Sequence, residues 1–218
     1  MREDNLIALR RKPFAPPPSD RRHNFLIVPN LIRGLTPSAP DQIWVADITY
    51  IRLRESFAYL AVILDSFSRK VVGWALAEHL DASLAVCALD NALAARQPHR
   101  SSLIHHSDRP SRGLKANRCR AMGVQYASVN YRSRLAEHDI TISMSRPGNP
   151  YDNAKAESFM KTLKTEEVGA NNFKNLAEAQ HSIAQFIDTV YNTTRLHSAL
   201  GYCPPLEFET NYALTKTN

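Results

Sequence analysis

Three strand-like segments follow one another with breaks of only a few residues, and that succession limits the fold more than any other feature of the chain. Residues 43–53, 57–64 and 70–77 are apolar, β-branched and aromatic, and they part at Arg54–Ser56 and Ser66–Arg69. Connections that short join antiparallel neighbours, because a parallel crossover needs a dozen residues or more. The three segments therefore predict an antiparallel meander.

Downstream the texture alternates. Asp81 is placed to cap a helix over residues 82–96, with Leu84, Cys87, Ala88, Asn91 and Ala92 on a 3.6-residue period. A short strand at 103–106, a helix at 125–137 and a strand at 141–144 come next. The turn RPGNP then leads into a helix at 153–167, and a last helix spans 176–191. The order βββαβαβαα predicts an α/β fold with a mixed five-stranded sheet flanked by helices. Residues 1–40, rich in Pro and Arg, read as an extended arm with room for one short helix near 5–11. The catalytic-core candidate is 41–175, and 176–218 continues it as a C-terminal helix and closing motif.

Several classes drop out. The longest unbroken apolar run, residues 57–64, is far short of the roughly 20 residues a bilayer span needs. Residues 1–12 are charged and lack the apolar stretch of a secretory signal. Three cysteines without metal-like spacing give neither a disulfide framework nor a cysteine-rich zinc finger. The expectation is a cytoplasmic protein with no membrane partner.

The charge is unevenly spread. The chain carries a net +6, with +4 in residues 1–40 and another +4 in residues 110–122, so the remainder stands at −2. A near-neutral body with a basic arm and a basic insert suits a polyanion, because each Lys or Arg set on a phosphate releases counterions. A solvated tail and loop would look the same by charge alone.

Three acids sit where element ends can bring them together: Asp47 inside the first strand, Asp108 just after the fourth, and Glu157 one turn into a helix. An ionised carboxylate among apolar strand neighbours is costly unless compensated. Three within about 4 Å would repel pairwise by about 4 kcal/mol at an effective dielectric of 20. Divalent ions remove that penalty, and two Mg²⁺ held by such a set would activate an attacking oxygen and stabilise a leaving one. Singly, each acid has a plainer reading: a half-exposed strand residue, a turn former, and a helix-surface partner for Lys161. Asp65, after LAVIL, competes with Asp108 for the second position. Asn153, Glu157, Lys161 and Lys164 share one polar helical stripe, opposite Phe159, Met160 and Leu163.

The strings WVADITYI, YLAVILDSFSRKVVGWAL, LIHHSDR, GVQYAS, ISMSRPGNPYDNAKAESFMKTLKTEE and YNTTRLHSALGYCPP, spread over residues 44–205, carry a resemblance. Together they resemble the catalytic half of insertion-sequence transposases of the IS-three family, a retroviral-integrase-like core with an RNase H-like fold. The resemblance implies a DDE triad at Asp47, Asp108 and Glu157, binding Mg²⁺ or Mn²⁺, two ions in all. It implies metal-dependent DNA strand cleavage followed by attack of the freed 3′-OH on another strand. It puts Lys164 and Lys161 on DNA, with Arg109, Asn153 and Arg195 as further DNA contacts. His106 and Ser107 would orient the second acid, and Tyr191, Asn192 and His197 would buttress the core or contact DNA. Asp65 then becomes a structural strand-end residue. The implied partners are element-end and target DNA, further copies of the chain, and a helix-turn-helix protein from the first reading frame, in a bacterial cytoplasm at the nucleoid.

Two departures from the family stand out. Thirteen residues, 110–122, intervene between Arg109 and the GVQY string. Asp108 and Glu157 are 49 positions apart, and without those thirteen the interval becomes about 36, which is the family's spacing. The insert either loops out at little entropic cost or pulls Asp108 off its position far enough to cripple catalysis. Its four cations give it a third use, holding DNA. Residues 1–40 also lack a convincing helix-turn-helix, so end recognition would fall to the separate protein. An impaired, truncated remnant that still binds nucleic acid is the alternative to an active enzyme, and a ribonuclease of the same fold is a more distant one.

Overall fold

A computed structural model of the protein describes residues 27–99, 102–109, 124–146 and 149–217. The expected helix near 5–11, most of the arm and the insert at 110–122 lie outside them.

The meander forms as expected. Strands β1 (Ile43–Arg52), β2 (Phe57–Asp65) and β3 (Val71–Ala77) pair antiparallel, and β4 (Ile104–Ser107) and β5 (Thr141–Met144) add parallel on the other side of β1. The sheet order is β3-β2-β1-β4-β5. This is the mixed five-stranded sheet of an RNase H-like core. With neighbours on both edges and helices on both faces, β1 reads as a nearly continuous apolar run, as buried central strands do.

Side-chain alternation along β1 sorts the core into two layers. Ile43, Val45 and Ile51 pack with Leu60, Val62 and Leu64 against α3 (Ala154–Leu163) and α4 (Leu176–Gln185). Trp44, Ala46 and Ile48 pack on the other face against α1 (Ala82–Arg96) and α2 (Val129–Glu137). Phe159, Met160 and Leu163 of α3 are buried, and each such side chain contributes about 1.5–3 kcal/mol. Helix α1 lies so close on β3 that a Cβ at Gly73 would meet the Ala88 carbonyl oxygen at 2.4 Å. The outer edge of β5 is covered by residues 29–31: Met144 donates to the Pro29 carbonyl, and Leu31 N–H to the Ser143 hydroxyl.

Four details differ from the sequence expectation. The helix expected from residue 125 opens as a 3₁₀ turn, Gln125–Ala127, then breaks at Ser128, which is extended (ψ 149°). The Ser128 hydroxyl accepts from Tyr131 N–H and so starts α2 afresh. Helix α3 ends at Leu163 and continues as a π turn, Lys164–Val168, and α4 likewise continues as Phe186–Tyr191. The last helix is a further one, α5 (Pro205–Thr217), with prolines at and before its start. Too few of its residues form a 3.6-period apolar stripe to announce it. It is held instead by Phe208 and Tyr212 against Phe67, at ring-centroid distances of 5.2 and 5.0 Å.

Candidate active site

Strand register puts the first two acids at one level. Ala46 of β1 pairs with Ser107, the last residue of β4, so Asp47 and Asp108 each follow directly on the last paired position of two adjacent parallel strands. Asp47 shares its parity with Val45 and Ile51 and so belongs to the face that α3 covers. Asn153, buried at the start of α3, donates to the Ala46 carbonyl at 3.0 Å and to Asp108 Oδ1 at 3.4 Å. That anchor sets the beginning of α3 over the two strand ends, and Glu157 follows one turn later. Asp47 and Glu157 line a common groove of about 330 Å³ with Ile48, Thr49, Tyr50, Met160, Lys161 and Lys164.

Electrostatics ties the three acids together. Burial, and next the Asp108 carboxylate, push the Asp47 carboxyl up to about 7, with Glu157 adding to the rise. The Ile48 N–H, at 2.7 Å from Asp47 Oδ1, and the Lys164 ammonium oppose it. Burial also raises Asp108, against the hydrogen bonds from Ser145 and Asn153. Glu157 is raised by burial and by Asp108. The region is therefore short of positive charge. Three hard oxygen donors in that condition fit Mg²⁺ or Mn²⁺ in kind. Among the described residues no three His, Cys, Asp or Glu side chains are close enough to grip one ion by themselves. Magnesium suits such a half-built shell, because it keeps waters and takes phosphate oxygens alongside one or two carboxylates.

The remaining expected residues divide. Lys161 and Lys164 line the groove, and Lys164 Nζ sits 4.4 Å from the Tyr50 ring centroid. His106 is fully buried, its Nδ1 2.9 Å from the Ser143 hydroxyl, and burial lowers it to about 4, so it is a neutral ring. Ser107 is buried, and its carbonyl accepts from Ser145 N–H. Arg109 N–H donates to the Ser145 hydroxyl. The closing motif packs beneath α3: Tyr191 meets Phe159 edge-on at 4.7 Å and His197 at 4.9 Å. Asn192 holds both the N–H and the carbonyl of Val71. Arg195 forms an ion pair with Glu166 at 2.7 Å.

Asp65 sits elsewhere, at the far end of β2. It accepts from the N–H groups of Asp41, Phe67 and Ser68 and lies 3.9 Å from Arg96. That is a turn-closing carboxylate, and it does not line the groove.

Sequence reasoning missed Ser145. Its hydroxyl donates to Asp108 Oδ1 at 3.1 Å, and with Asn153 it engages one oxygen of that carboxylate. The pairing of Ser107 with Met144 puts Ser145 beside Asp108, a signal available only once the β4–β5 register is known. Lys155 was also missed. It reaches from α3 to the carbonyl and hydroxyl of Ser66, at 2.6 and 2.7 Å.

Comparison with known proteins agrees with this architecture. Two family models, both described as Integrase core domain, match residues 37–150 and 138–205. The chain is 40% identical over 191 residues to the transposase for insertion sequence element IS904 of Lactococcus lactis, covering 87% of this chain and 70% of the relative. It is 35% identical over 210 residues to the transposase InsF for insertion sequence IS3A of Escherichia coli K12, covering 96% and 68%. The chain thus spans about two thirds of the length of these relatives. Among solved structures, the HTLV-2 integrase catalytic core domain in complex with magnesium superposes with a TM-score of 0.58 at 14% identity, over 80% of this chain and 99% of that one. A simian T-cell lymphotropic virus intasome chain gives 0.58 at 18% identity, over 78% and 55%. At those identities the likeness concerns the fold. The family models and the bacterial relatives go further: this chain belongs to the IS3 family of insertion-sequence transposases and carries its integrase core domain.

Proposed function

We propose that the chain is the catalytic subunit of a transposase, cutting DNA at the ends of an insertion sequence and joining the freed 3′-OH to another strand. The observation that carries this reading is a buried Asp47 that lines one groove with Glu157, Lys161 and Lys164 and is pushed up by burial and by the Asp108 and Glu157 carboxylates. In this reading Asp47, Asp108 and Glu157 hold Mg²⁺ or Mn²⁺. Two such ions, when bound, supply an activated oxygen nucleophile and charge stabilisation on the leaving oxygen.

The chain's own residues do the rest. Ser145 and Asn153 both donate to one oxygen of Asp108, which orients the carboxylate and would leave its other oxygen for a metal ion. Lys161 and Lys164 take phosphates flanking the scissile bond. Asn153, expected on the DNA, acts here through Asp108 as a positioning residue, and His106 braces β4 on β5 through Ser143. Tyr191, backed by His197, supports α3 from below, Asn192 ties the closing motif to β3 through Val71, and Arg195 steadies the turn that begins at Lys164. Arg109 reaches DNA from the rim. The partners are element-end and target DNA, further copies of the chain and a helix-turn-helix protein that reads the ends, in a bacterial cell. Among the described residues no helix is long and apolar enough to cross a membrane.

The test is incubation of the purified chain with labelled element-end DNA and Mg²⁺ or Mn²⁺, beside a version lacking residues 110–122. Metal-dependent nicking or joining by the full chain is the expected result. Activity only in the shortened version would identify an impaired copy, disabled by its insert. Silence from both, with the helix-turn-helix protein supplied, would sink the reading.

A further inference from the structure

Beyond Asp47, β1 outruns its parallel neighbour. Strand β4 pairs with Ile43–Ala46 alone, so among the described strands residues 48–52 pair only on their β2 side and form a sheet edge beside the groove that leads to the β1–β2 hairpin tip. Tyr50 stands on this hairpin, 37% exposed although it is aromatic and inside a strand, and it forms one wall of the groove that Asp47 and Glu157 line. Phe57, 41% exposed, meets it edge-on at 5.9 Å and 78°. Arg52 and Arg54, both exposed, follow towards the hairpin tip, with Glu55 as the acid among them. Lys164 rests its ammonium on the Tyr50 ring.

We infer that Tyr50 is a stacking platform for an unpaired nucleobase of the DNA strand whose phosphate lies at the acid site. This rests on the DNA reading proposed above. Proteins that hold single strands combine a basic track for the phosphates with aromatic faces for the bases, and the stacking is sequence-tolerant. Both parts meet at this edge of the groove. Charge complementarity selects the occupant: Lys161, Lys164, Arg52 and Arg54 outnumber Asp47, Glu157 and Glu55, and the first two of those acids are the ones the DNA reading gives to metal ions, which suits a phosphate backbone. Reach fits as well. Tyr50 is three residues from Asp47, about 10 Å along a strand, or about three nucleotides at about 3.4 Å per stacked step. The ammonium on the ring is the placeholder. When a phosphate draws Lys164 away, the vacated ring face takes the base, and an exposed cation–π contact is the weaker of the two interactions. Tyr50 thus favours DNA ends that are frayed or carry an unpaired strand.

The experiment uses the whole chain and end DNA carrying 2-aminopurine at successive positions of a short unpaired strand, with a dye at the far end of the duplex. Far-dye anisotropy reads total binding, and 2-aminopurine quenching reads stacking. Wild type should quench strongly at one or two positions. Tyr50→Phe should keep that quenching. Tyr50→Ala should lose it and weaken binding of the unpaired end by roughly 5- to 150-fold. The loss should be greater than on fully paired duplex, with the melting temperature unchanged. Binding without position-specific quenching, or quenching that survives Tyr50→Ala, would overturn the platform alone. No anisotropy change with any DNA would overturn the DNA reading and the platform with it.

Discussion

Asp47 and Asp65 are both aspartates of the β1–β2 pair, both shielded by the core and both raised by burial, yet their surroundings are opposite. Around Asp65 three backbone N–H groups converge with Arg96, which also holds Asp41 at 2.9 Å and Glu209 at 2.8 Å. Around Asp47 one N–H and the Lys164 ammonium face two further carboxylates. A carboxylate kept for structure is surrounded by donors. One left among its own kind is a cost that folding tolerates only where something outside the chain removes it. The difference separates a clamp, which fastens α5 to the sheet, from the site proposed above to hold a cation.

The largest effect expected from this contrast is on Asp47. Asp47→Asn should cut metal-dependent nicking at least about a thousandfold. It should leave the melting temperature equal or higher, since a like-charge contact goes. A fall in melting temperature would erase the distinction from Asp65. Arg96→Met should do the reverse at the clamp. Stripping the cation from Asp41, Asp65 and Glu209 should cost about 3–5 kcal/mol in denaturant unfolding, because uncompensated buried charge remains.

The clamp should also show in acid. Glu209 is held below its ordinary value of 4.5 by Arg96, Ser68 and Lys70 despite burial. The unfolded chain then binds more protons than the folded one between those two values. The stabilisation is complete above about 4.5 and is lost as pH falls through the folded value. Thermal melts from pH 6 to 3 should show a steeper acid limb for wild type than for Glu209→Gln. The smallest effect belongs to the hydroxyl that orients Asp108: Ser145→Ala should slow nicking by about 2- to 10-fold, the range of one hydrogen bond, with partial recovery in Ser145→Thr.

Much of this contrast was legible before any coordinates. The meander, β5, α1 and the core face of α3 follow from alternation and from the 3.6-residue period, which report burial directly. The preference for Asp108 over Asp65 as a site residue rests on the resemblance to a family, because a lone acid after an apolar run looks the same in either role. What distinguishes them is the set of donors: Arg96 lies 31 positions from Asp65 and Glu209 lies 113 from Arg96, separations that no local pattern carries. Helix α5 was hidden for the same reason, held by an aromatic pair and an ion pair and not by an apolar stripe. The π turns after α3 and α4 leave no period of their own. Ser145 and Tyr50 were invisible as single residues, and their meaning comes from register: one beside Asp108, the other past the end of β4.

The most direct test of the account is thermal unfolding of the metal-free chain during titration with Mn²⁺ or Mg²⁺, alongside Asp47→Asn and Asp65→Asn. A ligand that binds only the folded state raises its stability with concentration. The account predicts a rising melting temperature for wild type, a flat response for Asp47→Asn, and a rise from a lower starting point for Asp65→Asn. Equal shifts in wild type and Asp47→Asn, or a shift abolished by Asp65→Asn instead, would contradict it.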